Sequence, residues 1–174
     1  MRTGLSRQAN VSLSLGTKSA CSPIQRSIQQ RRLRIDYTRL FLGPTQAIAN
    51  PYGSVWMSGE DTLMQGSTMA VLELYREGGF ELDEDFRELP DHIAAELEFL
   101  YLLIYRENQA HRLKEPDALT STVALRQRFL NEHLGAWIGS FTAAVSAGAE
   151  SAFYHELAEL TNRFVRIEAG GGET

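Results

Sequence analysis

Along this chain the apolar positions return every three or four residues and nowhere alternate for long, a period that predicts helices and no strand. The first helix signal is Ser22-Pro23-Ile24-Gln25, where a serine cap, a proline in the first helical position and a glutamine three after the cap form a capping box. The helix is expected to run through Asp36, Tyr37, Leu40 and Phe41 and to stop at Gly43-Pro44. Glycine permits the left-handed terminal turn, and proline cannot continue a helix. Arg31 and Arg32 interrupt its apolar stripe. Residues 43–66 read as a loop punctuated by Pro44, Pro51, Gly53 and Gly59, yet this loop carries Tyr52, Val55 and Trp56. Bulky aromatics in an irregular segment either pin it to the core or line a groove.

Ser67 reads as the cap of a helix with Met69, Leu72 and Tyr75 on one side and a stop at Gly78-Gly79. Pro90 is placed in the first turn of the next helix, where Ile93, Leu97, Leu100 and Ile104 recur and Phe99, Tyr101 and Leu103 widen the stripe. After a polar connection at Lys114-Glu115-Pro116-Asp117, Phe129, His133, Trp137, Phe141 and Val145 repeat every four residues, with Gly135 as the point where that segment can divide. Phe153, Leu157, Thr161 and Phe164 mark a last helix that dissolves into Gly170-Gly171-Gly172. The expected fold is all-α: a single-domain bundle of about five to seven helices with one long aromatic loop. The helical domain is expected over residues 22–169, with residues 1–21 an atypical flexible extension and 170–174 a flexible tail.

Composition narrows the picture. With 174 residues, 43% hydrophobic and 22% charged, the chain can bury one substantial core but not two. No window approaches the roughly 18 apolar residues of a membrane span. The single Cys21 has no internal disulfide partner and no patterned zinc partners, which favours a reducing compartment, here the cytoplasm. The net charge of -5 hides a division: 7 of the 17 basic residues and none of the 22 acids fall in residues 1–34, leaving 10 basic against 22 acidic residues, a net -12, in the remainder. An Arg- and Ser-rich, acid-free start invites a targeting reading, but its apolar stretch from Val11 to Leu15 is broken by Ser12 and Ser14 and is shorter than a secretory core. The acidic body argues against nucleic acid, which it would repel. Between Glu81 and Asp91 six acids stand against Arg87 alone, an electronegative strap.

Candidate chemistry is sparse. Asp91 and His92 are adjacent at a helix start, where they could form an acid/base pair, although an acid in a first turn also complements the helix dipole. No nucleophile motif accompanies them. His92 and Glu96 are spaced to converge on a metal, but two ligands make no site, and His111, His133 and His155 are dispersed. No phosphate-binding glycine loop occurs. No metal or cofactor is therefore expected, and the chain reads as a binding protein, with the small helical enzyme as the alternative. An aromatic loop beside an acidic strap suits a peptide that carries both apolar residues and arginines.

The segments Asp36-Tyr37-Thr38-Arg39-Leu40-Phe41-Leu42-Gly43-Pro44 and Pro51-Tyr52-Gly53-Ser54-Val55-Trp56 resemble the TorD/DmsD family of redox-enzyme maturation proteins. Glu88-Leu89-Pro90-Asp91-His92-Ile93, then Phe129-Leu130, His133-Leu134 and Trp137, and finally Phe153-Tyr154, Leu157-Ala158 and Leu160-Thr161 extend the likeness in order, from about Leu33 to Glu168. The resemblance implies an all-helical cytoplasmic chaperone, without turnover, that binds the twin-arginine leader or the apo form of a molybdopterin-containing oxidoreductase before export. It assigns client binding to Tyr52, Gly53, Ser54, Trp56, Pro90, Asp91 and His92, and Glu88 joins them from the acidic strap as a partner for the leader's arginines. An assembly factor that grips only the mature client is the other chaperone reading. The family usually supplies more helix before the Asp36-to-Pro44 segment than stands here. A bundle short of that packing face exposes apolar surface, which favours a homo-oligomer.

Overall fold

Ser22 opens the first helix in the manner its neighbours dictate: its hydroxyl accepts the Gln25 N–H at 3.2 Å, and the Gln25 side chain accepts the Ser22 N–H at 3.1 Å. The computed structural model describes residues 22–43, 46–57 and 64–170. The expectations for residues 1–21 and 171–174 lie outside it. Its elements are α1 (Pro23–Tyr37) with a wide π turn (Thr38–Leu42), α2 (Gly53–Met57), α3 (Met64–Glu77), α4 (Ile93–Leu113), α5 (Pro116–Phe129) with a second π turn (Leu130–Leu134), α6 (Gly135–Gly148) and α7 (Ala152–Glu168). Among the described residues there is no strand, only an isolated antiparallel bridge between Tyr52 and His92. The all-α expectation holds.

Gly43 ends the first helical run at φ +59°, where a Cβ would lie 2.2 Å from the Gln46 carbonyl oxygen. Further along, the repeat from Phe129 to Val145 is buried at all five positions. A strict four-residue repeat drifts by about 40° per step around a straight α-helix. The π turn at Leu130–Leu134 absorbs part of that drift, because its wider turn takes up an extra residue. Gly135 fits that turn: a Cβ there would meet the Leu130 carbonyl oxygen at 2.1 Å. The core that results is aromatic, with Phe99 edge-on to Tyr75 at 4.8 Å and to Phe129 at 5.0 Å. It packs α4 against α5 and α6 against α7.

Several boundaries and faces differ from the sequence reading. The loop of residues 43–66 contains α2, whose short run is held by tertiary bonds rather than by propensity. The helix assigned to Ser67 begins by Met64, and its buried side is Val71, Leu74 and Tyr75, while Met69 is exposed. Gly78, just past the end of α3, lies against α4, since a Cβ there would be 2.5 Å from the Phe99 ring. Pro90 lies in a turn before α4, which starts only after His92 caps it. Tyr101 is exposed rather than part of the buried stripe, and of the residues that mark α7, Phe153, Leu157 and Phe164 are exposed, while Ala158 and Val165 are buried.

A polar clamp ties the two ends of the bundle together. Asp36 is buried, and its carboxylate accepts the Ser151 N–H at 2.9 Å and the Glu150 N–H at 3.2 Å, just before α7. Arg39 donates to the same carboxylate at 3.1 Å and to the Gly148 carbonyl at 2.6 Å. Burial opposes the Asp36 charge, but the hydrogen bonds from Ser151, Glu150 and Arg39 outweigh it and hold the carboxyl below its ordinary range. A depressed carboxyl stabilises the fold above its unfolded value and loses that contribution as pH falls through its folded value. Asp36→Ala is therefore expected to cost about 1–3 kcal/mol near neutral pH, and the cost should shrink when urea denaturation is repeated in acid. An unchanged cost in acid would remove Asp36 from the acid response.

Candidate functional site

An apolar groove of about 360 Å³ opens between the first π turn, the start of α4, α6 and α7. Its walls include Phe41, Leu97, Phe141, Val145 and Leu157, all brought there by helix faces rather than by one contiguous motif. Tyr52, Glu88 and His92 also line it and supply its polar groups. The Tyr52 hydroxyl donates to the Glu88 carboxylate, and this bond, with burial, pushes the phenol up to about 12. The Tyr52 and His92 rings meet edge to face at 5.3 Å.

That corner is built by stapling α2 to the start of α4. The Gly53 N–H donates to the Asp91 carbonyl at 2.9 Å, the Ser54 N–H to the Asp91 carboxylate at 2.8 Å, and the Ile93 N–H to the Pro51 carbonyl at 2.8 Å. Asp91 is fully buried and Ser54 nearly so, so the carboxylate faces the loop backbone, where it also complements the positive end of α2. Gly53 has no room for a side chain, since a Cβ would lie 2.8 Å from the Trp137 Nε1. Pro90 is half-buried, and its carbonyl accepts the Tyr75 hydroxyl at 2.8 Å. Trp56 is half-buried as well; its indole N–H donates to the Asn50 carbonyl at 2.7 Å and its ring meets Phe141 at 6.3 Å. Of the two uses open to a loop aromatic, Trp56 pins and Tyr52 lines.

His92 Nδ1 accepts the Ala94 N–H at 3.1 Å, a role that requires a neutral Nδ1. Burial lowers its pKa against the opposing pull of Glu88 and Asp91. Asp91 and His92 thus each serve a backbone N–H, which leaves the proposed acid/base pair without a shared proton. The His92–Glu96 metal pairing also fails to form, because Glu96 turns inward to the core. There the Trp137 indole N–H donates to Glu96 Oε2 at 3.2 Å, His133 Nδ1 lies 3.1 Å from the same oxygen, and His133 Nε2 lies 3.1 Å from the Ser67 carbonyl oxygen. Burial raises the Glu96 pKa; burial opposes the His133 charge, but Glu96 raises it overall. Among the described residues no cluster of three or more His, Cys, Asp or Glu side chains is placed to hold a metal ion, and no helix is long and apolar enough to cross a membrane.

The sequence reading missed the groove walls. Phe141 and Val145 were visible as a buried repeat, but a period does not say which part of a core is left open. It also missed the Glu96–His133–Trp137 group, for which the spacing of His133 and Trp137 by four was the available signal.

Comparison with known proteins gives a consistent answer. The family model described as nitrate reductase delta subunit matches residues 9–143. The chaperone protein TorD of Vibrio parahaemolyticus is 28% identical over 145 residues, covering 83% of this chain and 66% of that protein. The TorD proteins of Photobacterium profundum and Shewanella loihica are each 29% identical, over 140 and 141 residues, and are covered to 63% and 60% of their length. The chain thus spans somewhat less than two thirds of these relatives. With a family model matched over most of its length and the ordered motifs now seen to build one groove and its supporting core, the chain belongs to the TorD/DmsD family.

Proposed function

We propose that this protein is a cytoplasmic chaperone for a molybdopterin-containing oxidoreductase, and that it holds the twin-arginine leader of that client, or its apo form, while the cofactor is inserted. The observation that carries this reading is the groove: an apolar trough of about 360 Å³ that can take apolar side chains of a leader, with Tyr52, Glu88 and His92 among its lining residues. The relatives from Vibrio parahaemolyticus and Photobacterium profundum are chaperones by name, which points the same way. Burial of apolar side chains supplies affinity, and a guanidinium on Glu88 adds a charge-assisted hydrogen bond. Within the acidic strap Glu81, Asp83, Glu84, Asp85 and Glu88 are exposed, so they draw in a cationic peptide by long-range attraction. Asp91, Gly53, Ser54 and Pro90 act in this scheme by fixing the loop, and Trp56 by bracing it against Phe141.

A calorimetric titration with a twin-arginine leader peptide tests the proposal. Binding is expected to be micromolar or tighter and to weaken by about tenfold in Glu88→Gln or when both arginines of the peptide become alanine. The combined change should weaken it little further, since the same contact is removed twice. Equal affinity of the native and arginine-free peptides would refute leader recognition. Binding of the client with its leader deleted, at undiminished strength, would instead assign the chaperone to the mature subunit.

A further inference from the structure

We propose that residues 7–15 of this chain, which lie outside the described residues, occupy the groove in cis, with Arg7 at Glu88 and Val11, Leu13 and Leu15 along the apolar wall. A client's leader must then displace them, so the proposal rests on the reading of the groove as the leader site. The groove offers apolar area to cover: Tyr37, Leu42 and Leu157 line it and are 46, 62 and 43% exposed, and grouped exposed apolar side chains mark an interaction site. The charges agree. Residues 1–21 hold Arg2, Arg7 and Lys18 and no acid, against a net -12 in residues 35–174. Positive residues ahead of a short apolar run are the order of an export leader. In an extended segment successive side chains alternate, so Val11, Leu13 and Leu15 share the face toward the groove, and Ser12 and Ser14 take the face toward water.

The length of the segment fits the distance it must cover. Tyr37, which lines the groove, is the last residue of α1 (Pro23–Tyr37), about 21 Å along the helix axis from the first. Residues 16–22, running back along α1 in extended form, span about 23 Å and bring Leu15 level with Tyr37. The side chains from Ile24 to Arg32 are exposed, which leaves that path open among the described residues. Arg7 then has about 26 Å of chain between it and Leu15 in which to reach Glu88. Because the segment is tethered, its effective concentration at the groove is of millimolar order, so an intrinsic dissociation constant near about 0.1 mM fills the site about tenfold over and weakens a competing leader by the same factor. An apolar run broken by serines buries less than an unbroken one, so a complete leader still wins. The segment therefore sets a threshold: a peptide short of apolar length or of arginines fails to displace it.

Cys21 is the only cysteine, so Gly16→Cys in a Cys21→Ser background of the full chain places one nitroxide label beside Leu15. The amide signals of the groove residues Tyr154, Leu157 and Thr161 should broaden well beyond those of α5, which does not line the groove. Adding Leu13→Asp/Leu15→Asp should erase that difference with circular dichroism unchanged, and an excess of twin-arginine leader peptide should erase it as well. In calorimetry the unlabelled Leu13→Asp/Leu15→Asp chain should bind the leader about tenfold more tightly than the native chain. Groove amides no broader than those of α5 overturn the proposal, as does broadening that survives Leu13→Asp/Leu15→Asp. Equal broadening when the label is carried only by isotopically unenriched copies, mixed with enriched unlabelled ones, overturns it too, since the contact then runs between molecules. A broadening that Leu13→Asp/Leu15→Asp removes and the leader does not keeps the segment in the groove and refutes the leader reading instead.

Discussion

Trp137→Ala is expected to lower the unfolding free energy by about 3–5 kcal/mol, read as a shift of the urea midpoint with the slope unchanged. Trp137 is fully buried and lies edge-on to Phe141 at 5.4 Å, so truncation removes a large apolar area and leaves a void that a helical core closes only in part. The loss also reaches the groove, since Gly53 rests directly against the indole and α2 depends on that contact for its seat. Trp137→Phe should be milder: it keeps most of the volume but leaves Glu96 without its indole donor, a loss of about 1–3 kcal/mol. A midpoint for the alanine variant close to that of the native protein would show that α2 and α6 collapse freely into the space, contrary to the packing described.

Glu96→Ala is expected to cost a similar amount, about 3–5 kcal/mol, but with a distinctive pH dependence. In the native protein both Glu96 and His133 hold protons more tightly than in the unfolded chain. Their contribution is present at low pH and is lost as pH rises through their folded values, so stability declines across the histidine range. Without Glu96 the dominant influence left on His133 is burial, which favours the neutral ring. The unfolded chain then binds the extra proton, and stability rises over the same range. The gap between native and variant should therefore be widest near about pH 6 and narrower at about pH 8. Urea denaturation at both values decides the matter, and a gap that widens with pH would show that the pair is not protonated as its surroundings dictate.

What the sequence made legible follows from which interactions are local. The capping box at Ser22, the stop at Gly43 and the four-residue repeat from Phe129 to Val145 are determined by neighbours in the chain, and each is found in the structure. The π turn that keeps the repeat on one face was signalled only by Gly135. Helix α2 was not legible, because its first two N–H groups are satisfied by Asp91, 37 residues away in the case of Ser54. The outward direction of Phe153, Leu157 and Phe164 was equally hidden. Periodicity identifies an apolar face but not what covers it, and the smaller Ala158 and Val165 took the inner side. Tyr52, Glu88 and His92 were singled out and do meet, but the apolar walls of their groove come from four separate segments. Asp91 was expected to attract arginines, and its burial gives it the task of holding the loop instead.

The protein has two tryptophans, and the fold sets them in different surroundings. Trp137 is sealed in the core beside a carboxylate, while Trp56 braces the loop against Phe141 and remains partly open to water. Their emission is accordingly resolvable: a blue-shifted component shielded from aqueous quenchers belongs to Trp137, and a red-shifted, quenchable one belongs to Trp56. The molecule thus contains an internal reference and a sensor in one spectrum, so that unfolding of the core and movement of the loop register as separate optical signals without any added label.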